Sequence, residues 1–262
     1  MSQGGFWDEI RKIPPVTRFM CGSSLAVTVP VLLELLSPYR VVFVKELVTK
    51  NFEVWRIWTS FFLGGSGINF IFDIAMLYRN SDQLESGHFA GRSADYAWQL
   101  ILAAGSILAL NIPLQSFVHT RALLLCLTYL SSALAPAGSQ TSIFGLVTVP
   151  VKYFPYVLLG MDLLMGGPKA VAQSITGVVV GHLWWLAVFG PDGRGLPGAR
   201  EWARAPGWLG SFVGSGSGPS VGAGTGVHVI PPRDRRDGAG AGATAARATG
   251  YRWGSGNRLG DS

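Results

Sequence analysis

Long apolar segments separated by short polar ones run through the first 190 residues of the chain. No Asp, Glu, Lys or Arg occurs in residues 96–118, 122–151 or 170–191. Each stretch can cross the ~30 Å hydrocarbon core of a bilayer, which needs roughly 20 residues of helix. The pattern therefore predicts several membrane-spanning helices.

Six spans follow from these runs and from the breaks between them. Pro136 and Gly138 interrupt the longest neutral stretch, so its second part is expected to be a re-entrant or interfacial segment. Gly166, Gly167 and Pro168 end the fifth helix sharply, and the short connector places the fifth and sixth helices side by side and antiparallel. The predicted spans are 17–36, 57–78, 96–116, 122–136, 153–166 and 170–189.

The first loop and the C-terminal region differ from the spans. Residues 37–54 mix apolar positions with Lys45, Glu46 and Lys50, which favours an amphipathic element lying in the membrane interface. Beyond Gly190 the sequence is rich in Gly, Ala, Pro, Ser and Arg, and such a segment cannot bury enough apolar surface to offset its ordering entropy. We therefore expect an all-α membrane domain at 1–190 and a disordered tail at 191–262.

The overall composition agrees with an integral membrane protein. Of the 262 residues, 48% are apolar and only 14% are charged, too few charges for the surface of a soluble globule of this size. The net charge of +6 does not indicate nucleic-acid binding, because the basic residues form no stripe interleaved with aromatic side chains.

The N-terminus does not resemble a cleaved signal peptide. Residues 1–12 are polar and no small-residue cleavage site follows the first apolar run, so the first span is expected to remain in the mature protein. No disulfide is expected, since Cys21 and Cys126 lie in apolar segments.

The distribution of basic residues predicts the orientation. With six spans both termini lie on one side, and the tail carries nine arginines and no lysine. Cytosolic segments are enriched in basic residues, so both termini are expected in the cytosol. The first loop runs against this rule, since it contains Arg40, Lys45, Lys50 and Arg56.

Two glycines in the predicted sixth span suggest helix packing. Gly177 and Gly181 are four residues apart and lie on one helix face, where the absence of side chains lets a second helix approach closely in lipid. The pattern predicts that this face packs against a neighbouring span.

Two serines and a histidine raise the question of proteolysis. Ser131 or Ser132 in the fourth span and His182 in the sixth could supply a nucleophile and its base. Rhomboid intramembrane proteases carry Gly-x-Ser-Gly in this region, and residues 129–145 contain no such motif. We therefore interpret the serines as packing or backbone-bonding residues and His182 as a buried polar residue. An active rhomboid-type intramembrane serine protease is the alternative function.

Acidic residues within the spans offer a third hypothesis. Asp73 lies near the polar segment that starts at Arg79 and is interpreted as an interfacial acid, whereas Asp162 lies deeper, where ionisable groups usually face a bundle interior or wet cavity. The hypothesis of a transporter built around Asp162 is weakened by the absence of inverted repeats.

Neither a metal nor another cofactor is expected, because no phosphate-binding glycine loop occurs and the histidines lack ligand spacing. These histidines are His88, His119, His182 and His228.

Several segments of the membrane domain resemble derlins. Residues 51–59, Asn-Phe-Glu-Val-Trp-Arg-Ile-Trp-Thr, are similar to the Trp-Arg signature in the first loop of derlins and rhomboids, with Trp55 and Arg56 as its pair. Residues 84–96 read Leu-Glu-x-Gly-x-Phe-x-Gly-Arg-x-Ala-Asp-Tyr and resemble the derlin loop between the second and third spans. Residues 153–160 and 177–182 are similar to the last two derlin spans, and the resemblance covers roughly residues 5–190.

The C-terminus carries a further motif. Residues 253–261, Trp-Gly-Ser-Gly-Asn-Arg-Leu-Gly-Asp, resemble the SHP box (253–260) with which derlins recruit the hexameric AAA ATPase called valosin-containing protein. An extended peptide with two pocket-filling apolar side chains and glycines that allow close backbone approach can bind a folded domain. The residues expected to bind are Trp253, Gly254, Gly256 and Leu259.

The resemblance implies a fold and a function. A derlin is a rhomboid-like bundle of membrane helices without the serine nucleophile. The resemblance therefore implies a non-catalytic protein of the endoplasmic-reticulum membrane. It implies a role in ER-associated degradation, in which misfolded protein clients are retrotranslocated through a locally thinned bilayer. The implied partners are those clients, an ER ubiquitin-ligase complex, the AAA ATPase and the lipid bilayer.

Overall fold

Helices make up most of the structure, a computed structural model that describes residues 8, 10, 12–136, 138–143, 147–191, 193 and 195–213. The helices are α1 (Pro15–Leu32), α2 (Lys45–Asn51), α3 (Trp55–Phe62), α4 (Ile68–Gln83), α5 (Ser93–Asn111), α6 (Thr120–Leu134), α7 (Phe154–Val188), α8 (Ala199–Trp202) and α9 (Gly207–Val213). Short 3₁₀ turns lie at Pro38–Arg40 and Val151–Tyr153, a π-helical turn at Leu84–His88, and strands β1 and β2 at Gln140–Ile143 and Val147–Pro150.

Three of the described helical segments are long and apolar enough to cross a membrane. They are Pro15–Leu32, Ser93–Asn111 and Val151–Val188, so the prediction of a mostly helical membrane protein is confirmed. Helix α6 is apolar but has only 15 residues, and α4 has 16 and ends in a polar turn. The count of six membrane-spanning helices therefore stays a prediction.

The predicted second span at 57–78 is not one helix. Helix α3 ends at Phe62 and α4 begins at Ile68, because Gly64, Gly65 and Gly67 favour other backbone conformations. Gly67 has a φ of 62°, which a side chain would strain. The freed backbone groups find side-chain partners: Thr28 Oγ1 accepts from the Gly64 N–H at 2.9 Å, and Thr120 Oγ1 donates to the Leu63 carbonyl at 2.7 Å.

The segment predicted to be re-entrant or interfacial forms a two-stranded hairpin, and its position relative to the membrane stays a prediction. Strands β1 and β2 pair antiparallel, with Gln140 opposite Pro150 and Ile143 opposite Val147. Thr and Val are enriched in strands because branched side chains fit a pleated surface. The all-α prediction therefore holds for the bundle but not for this connection.

Helix α7 consists of two arms joined by a kink. Gly167 has a φ of 72° and a ψ of −173°, and Pro168 follows it, so the chain leaves the helical path there. The first arm (154–166) begins beside the hairpin that follows α6 and brings Asp162 to Arg121 at the start of α6. The second arm (168–188) returns along α6, since Tyr129 hydrogen-bonds His182. The two arms therefore run in opposite directions.

Helix α6 occupies the centre of the bundle. Every side chain in 122–128 is buried, and α6 contacts α3, α4, α5 and both arms of α7. A helix that is apolar on all sides is expected to be enclosed. The second arm approaches its backbone directly: a Cβ at Gly177 would collide with the Ala122 carbonyl, and one at Gly181 would lie 2.8 Å from the Cys126 oxygen.

Part of the predicted disordered tail is ordered. Side chains of α5 hold residues 202–205 through their backbone: Trp98 Nε1 donates to the Trp202 carbonyl at 2.8 Å, and Gln99 Nε2 to the Ala203 carbonyl at 2.9 Å. Disorder from residue 191 is therefore wrong for 195–213. The average composition of the tail conceals local anchors such as Leu209, which is buried. The remainder of the tail, from residue 214, lies outside the described residues.

We predict opposite effects for alanine at two glycines of α7. Gly177→Ala places a Cβ on the α6 backbone and should lower the free energy of unfolding by about 1–3 kcal/mol, as overpacking does. Gly160→Ala is the matched control, because a Cβ there meets nothing within 4 Å and alanine favours a helix by roughly 0.5–1 kcal/mol. Thermal unfolding in detergent measures both. Equal melting temperatures for the two variants would contradict the proposed packing.

Candidate functional site

Arg56 organises the first loop, and its side chain is buried. Its Nη1 donates to the Tyr39 carbonyl at 2.6 Å and to the Val42 carbonyl at 3.0 Å, and its Nε pairs with Glu53. One guanidinium thus joins the start of α3 to the backbone that follows α1, using the several donors that arginine presents in a fixed plane. Its neighbour Trp55 is 56% exposed, as suits an aromatic residue at a membrane interface.

Three consecutive residues at the start of α6 fasten the surrounding elements. The His119 N–H donates to the Ser60 carbonyl at 2.9 Å, and Thr120 holds the Leu63 carbonyl as described above. Arg121 Nη1 donates to Asp73 in α4, and its Nε donates to Asp162 in the first arm of α7. Helix α3, the break after it, α4 and α7 are therefore all fixed to one turn.

The charged cluster at this turn contains one cation and two anions. Arg121 Nη1 lies 2.7 Å from Asp73 Oδ1, and Arg121 Nε lies 3.0 Å from Asp162 Oδ1. Both carboxylates are buried, and Asp162 Oδ2 has no hydrogen-bond partner among the described residues. Asp73, interpreted from the sequence as an interfacial acid, is a buried partner of Arg121, and its depth in the membrane stays a prediction. Sequence reasoning passed over Arg121 although it is the only charged residue in 97–151, and a lone charge between apolar runs is expected to pair.

A serine and a histidine do meet at the start of α6, and they are not the predicted ones. His119 Nδ1 lies 3.1 Å from Ser60 Oγ, which itself donates to the Ile57 carbonyl at 2.9 Å. The Ser60 hydroxyl proton is thus directed to its own helix, so Nδ1–H is the donor in the pair. Both side chains are fully buried, and the rings of Phe43 and Phe61 pack against the imidazole. The pair fastens α3 to α6 and is closed to substrate.

The serines considered for proteolysis are not hydrogen-bonded to His182. Ser131 Oγ donates to the Thr128 carbonyl at 3.0 Å, and Ser132 Oγ donates to the Tyr129 carbonyl at 2.8 Å. The interpretation of His182 as a buried residue is wrong, because its side chain is exposed and its Nδ1 hydrogen-bonds the Tyr129 hydroxyl at 2.8 Å. A nucleophile needs its base within hydrogen-bond reach. The geometry therefore does not assemble the alternative protease site.

The derlin-like loop positions a carboxylate at the start of α1. Glu85, in the π-helical turn, accepts from the backbone N–H groups of Val16 at 3.1 Å and Thr17 at 2.8 Å, and from the Thr17 hydroxyl at 2.8 Å. The first N–H groups of a helix lack partners within it, and an anion near them is stabilised by the helix dipole. Phe89 and Tyr96 of the same motif are buried. The motif therefore joins the beginning of α1 to the end of α4.

The remaining predicted site residues divide into two groups. Gly177 and Gly181 lie against α6, as described above. The SHP-box residues Trp253, Gly254, Gly256 and Leu259 lie outside the described residues. Within the described ranges no three His, Cys, Asp or Glu side chains group as metal ligands would, and both cysteines are free.

Comparisons with known proteins agree on one family. The model of the Der1-like family matches residues 13–196. The chain is 33% identical over 218 residues to Derlin-1 of Arabidopsis thaliana, covering 81% of this chain and 77% of the relative. It is 33% identical to Derlin-1.2 of Zea mays, covering 78% and 82%. It is 29% identical to Derlin-1 of Homo sapiens over the full length of both.

We predict that the charge cluster is needed as a balanced unit. Arg121→Gln leaves two buried carboxylates without their cation and should lower the free energy of unfolding by about 1–3 kcal/mol, less than for a fully buried pair, because the Arg121 side chain is 37% exposed. Adding Asp73→Asn and Asp162→Asn should restore much of the loss, since neutral amides carry no uncompensated charge. Chemical denaturation in detergent measures the free energy of unfolding of the parent protein, of Arg121→Gln and of the triple variant. No rescue by the added substitutions would contradict the electrostatic role.

We also predict acid sensitivity from His119. Burial lowers the pKa of His119 to about 4, so the unfolded chain binds the proton more tightly and stability falls as pH drops below about 6.5. From pH 7.5 to 5 the loss should be about 1–2 kcal/mol. His119→Asn retains a polar group near Ser60 and cannot titrate, so it should reduce this dependence. An unchanged pH profile in that variant would refute the assignment.

Proposed function

Because this chain belongs to the Der1-like family, the derlins, we propose that it acts without catalysis in ER-associated degradation. It assists the retrotranslocation of misfolded proteins from the endoplasmic reticulum through a locally thinned bilayer. In this proposal six helical segments span the ER membrane, and both termini lie in the cytosol.

The short helices of the bundle carry the proposal. Helix α6 has 15 residues and α4 has 16, lengths of about 22 and 24 Å at 1.5 Å per residue. The hydrocarbon core of a typical bilayer is ~30 Å thick, and the first arm of α7 is shorter still. A bilayer thins around helices too short to span it. The cost of moving polar backbone through lipid falls with that thickness.

Polar groups inside the bundle support the same function. Asn80 Nδ2 donates to Thr128 Oγ1 at 2.7 Å, and Ser131 Oγ lies 3.3 Å from Asn80 Oδ1. Together with the Arg121 cluster, these groups extend along the α4–α6 contact. Intramembrane polar residues commonly mark the route of a polar substrate.

The first loop provides the second structural element of the proposal. Arg56 and the His119–Ser60 pair hold α3 against the bundle instead of leaving it in the aqueous phase. Helix α3 exposes Trp55 and Trp58, which suits an element embedded at the interface. A client that arrives from the lumen would meet this loop first.

Force would come from a cytosolic partner. The motif at 253–260 would bind valosin-containing protein, with Trp253 and Leu259 as its apolar anchors, and an ER ubiquitin-ligase complex would mark the emerging client. The protease alternative receives no support from the hydrogen bonds of Ser131, Ser132 and His182. A catalytically inactive bundle coupled to an external ATPase explains both the membrane domain and the C-terminal motif.

We predict that client degradation depends on the geometry of Arg56 and not on the serines. In cells depleted of their own derlins, Arg56→Lys should slow the turnover of a misfolded luminal client severalfold, because lysine cannot reproduce the planar set of donors. Arg79→Lys, at an exposed site on α4, is the matched control. The double variant Ser131→Ala/Ser132→Ala should support normal turnover. Loss of turnover in that variant, with cleaved client appearing only when His182 is intact, would instead favour a protease.

We predict that capture of the ATPase depends on the C-terminal motif. A buried aromatic anchor commonly contributes more than ~2 kcal/mol of binding energy, so Trp253→Ala should weaken binding at least ~30-fold. Trp202→Ala removes an exposed tryptophan outside the motif and serves as the control. A detergent pulldown with purified valosin-containing protein measures both. Equal capture by the Trp253 variant and the parent would reject the docking role.

A further inference from the structure

An apolar cavity of about 670 Å³ lies between α1 and α5. Phe19 and Met20 of α1, Ala104 of α5, and Trp58 and Phe61 of α3 line it. Among the described residues, no member of the Arg121 cluster lines the cavity, and neither do Gly177 and Gly181, although Leu123 of α6 does. Apart from Trp58, none of the groups discussed for retrotranslocation lines it.

Helix α9 also lines the cavity. Trp208, Leu209 and Val213 contribute to it, as do Pro15 and Val16 in the first turn of α1. This helix is held in place through the preceding residues, since the Ala205 N–H donates to Asp95 Oδ1 at 2.8 Å. Trp208 is 59% exposed, as expected of an aromatic side chain at a membrane interface.

Among the described residues that line the cavity, Arg18 is the only charged one. It is exposed and lies on the same turn of α1 as Phe19. Within the described residues no carboxylate forms an ion pair with it. The described lining of the cavity thus combines apolar side chains with one cation.

We propose that this cavity binds one glycerophospholipid. One acyl chain enters between α1 and α5 as far as Trp58, and the phosphodiester lies at Arg18 beside Trp208. Arginine recognises phosphate through charge-assisted hydrogen bonds, and tryptophan favours the headgroup level.

The position and size of the cavity select a lipid chain over other occupants. Helices α1 and α5 are both candidate membrane spans, so the space between them lies at hydrocarbon depth. A volume of about 670 Å³ is within the 300–1,000 Å³ range typical of small-molecule sites. A helix of ~10 Å diameter could enter only if α1 and α5, which are in contact, moved apart.

Photocrosslinking of the full chain tests the proposal. The protein is reconstituted into vesicles of palmitoyl-oleoyl-phosphatidylcholine with a trace of phosphatidylcholine carrying a diazirine at the end of one acyl chain. Labelled positions are mapped by mass spectrometry after illumination. We expect labelling concentrated at Phe19, Trp58 and Ala104, at least fivefold above the exposed position Ala109 on the same helix.

Two matched pairs of variants separate a specific site from general lipid contact. Ala104→Trp fills the cavity and should reduce labelling of Phe19 and Trp58 at least fivefold, whereas Ala109→Trp should not. Arg18→Gln should reduce it about threefold, whereas Arg79→Gln should not. If Ala104→Trp does not fold, Ala97→Leu fills the same cavity with a smaller side chain. Uniform labelling of outward-facing positions that Ala104→Trp and Ala97→Leu leave unchanged would overturn the proposal. Labelling confined to α9 would also overturn it, because the acyl chain would then lie outside the cavity.

Discussion

The close contact between α6 and the second arm of α7 is the interaction on which the rest of the structure depends. Gly177 and Gly181 bring the second arm onto the α6 backbone, so most of α6 is enclosed. Helix packing in lipid relies on such close approach, because lipid is as apolar as the side chains and gives no hydrophobic force between helices. With α6 fixed, His119, Thr120 and Arg121 at its start hold α3, α4 and the first arm of α7.

Satisfaction of buried polar groups explains the other connections. Glu85 supplies acceptors to the start of α1, Thr28 and Thr120 take up the backbone freed after α3, and Arg56 binds carbonyls of the first loop. A polar group without a partner is costly in hydrocarbon. Each irregular segment can therefore lie inside the bundle because a side chain from a neighbouring element satisfies it. The same side-chain partners allow the helices to be short, because the loops between them can lie inside the bundle.

The sequence was sufficient to predict the family, the membrane-protein class and most helix positions, because apolar runs and local motifs carry that information. It failed where distant residues decide the structure. The break at Leu63–Gly67 depends on partners in α1 and α6, and the ordering of 195–213 depends on Trp98 and Gln99 in α5. The partnership of Arg121 with Asp73 and Asp162 likewise joins three elements, although the isolation of Arg121 between apolar runs was a usable signal.

The proposed function requires a membrane domain that thins the bilayer around it. The most direct test is to reconstitute the protein in phosphatidylcholine bilayers of increasing acyl-chain length and to measure its thermal stability in each. Hydrophobic mismatch costs a fraction of a kcal/mol per Å, so a bundle with helices of about 22–24 Å should be most stable in bilayers thinner than the usual ~30 Å. A stability maximum in bilayers of ~30 Å or thicker would contradict the account.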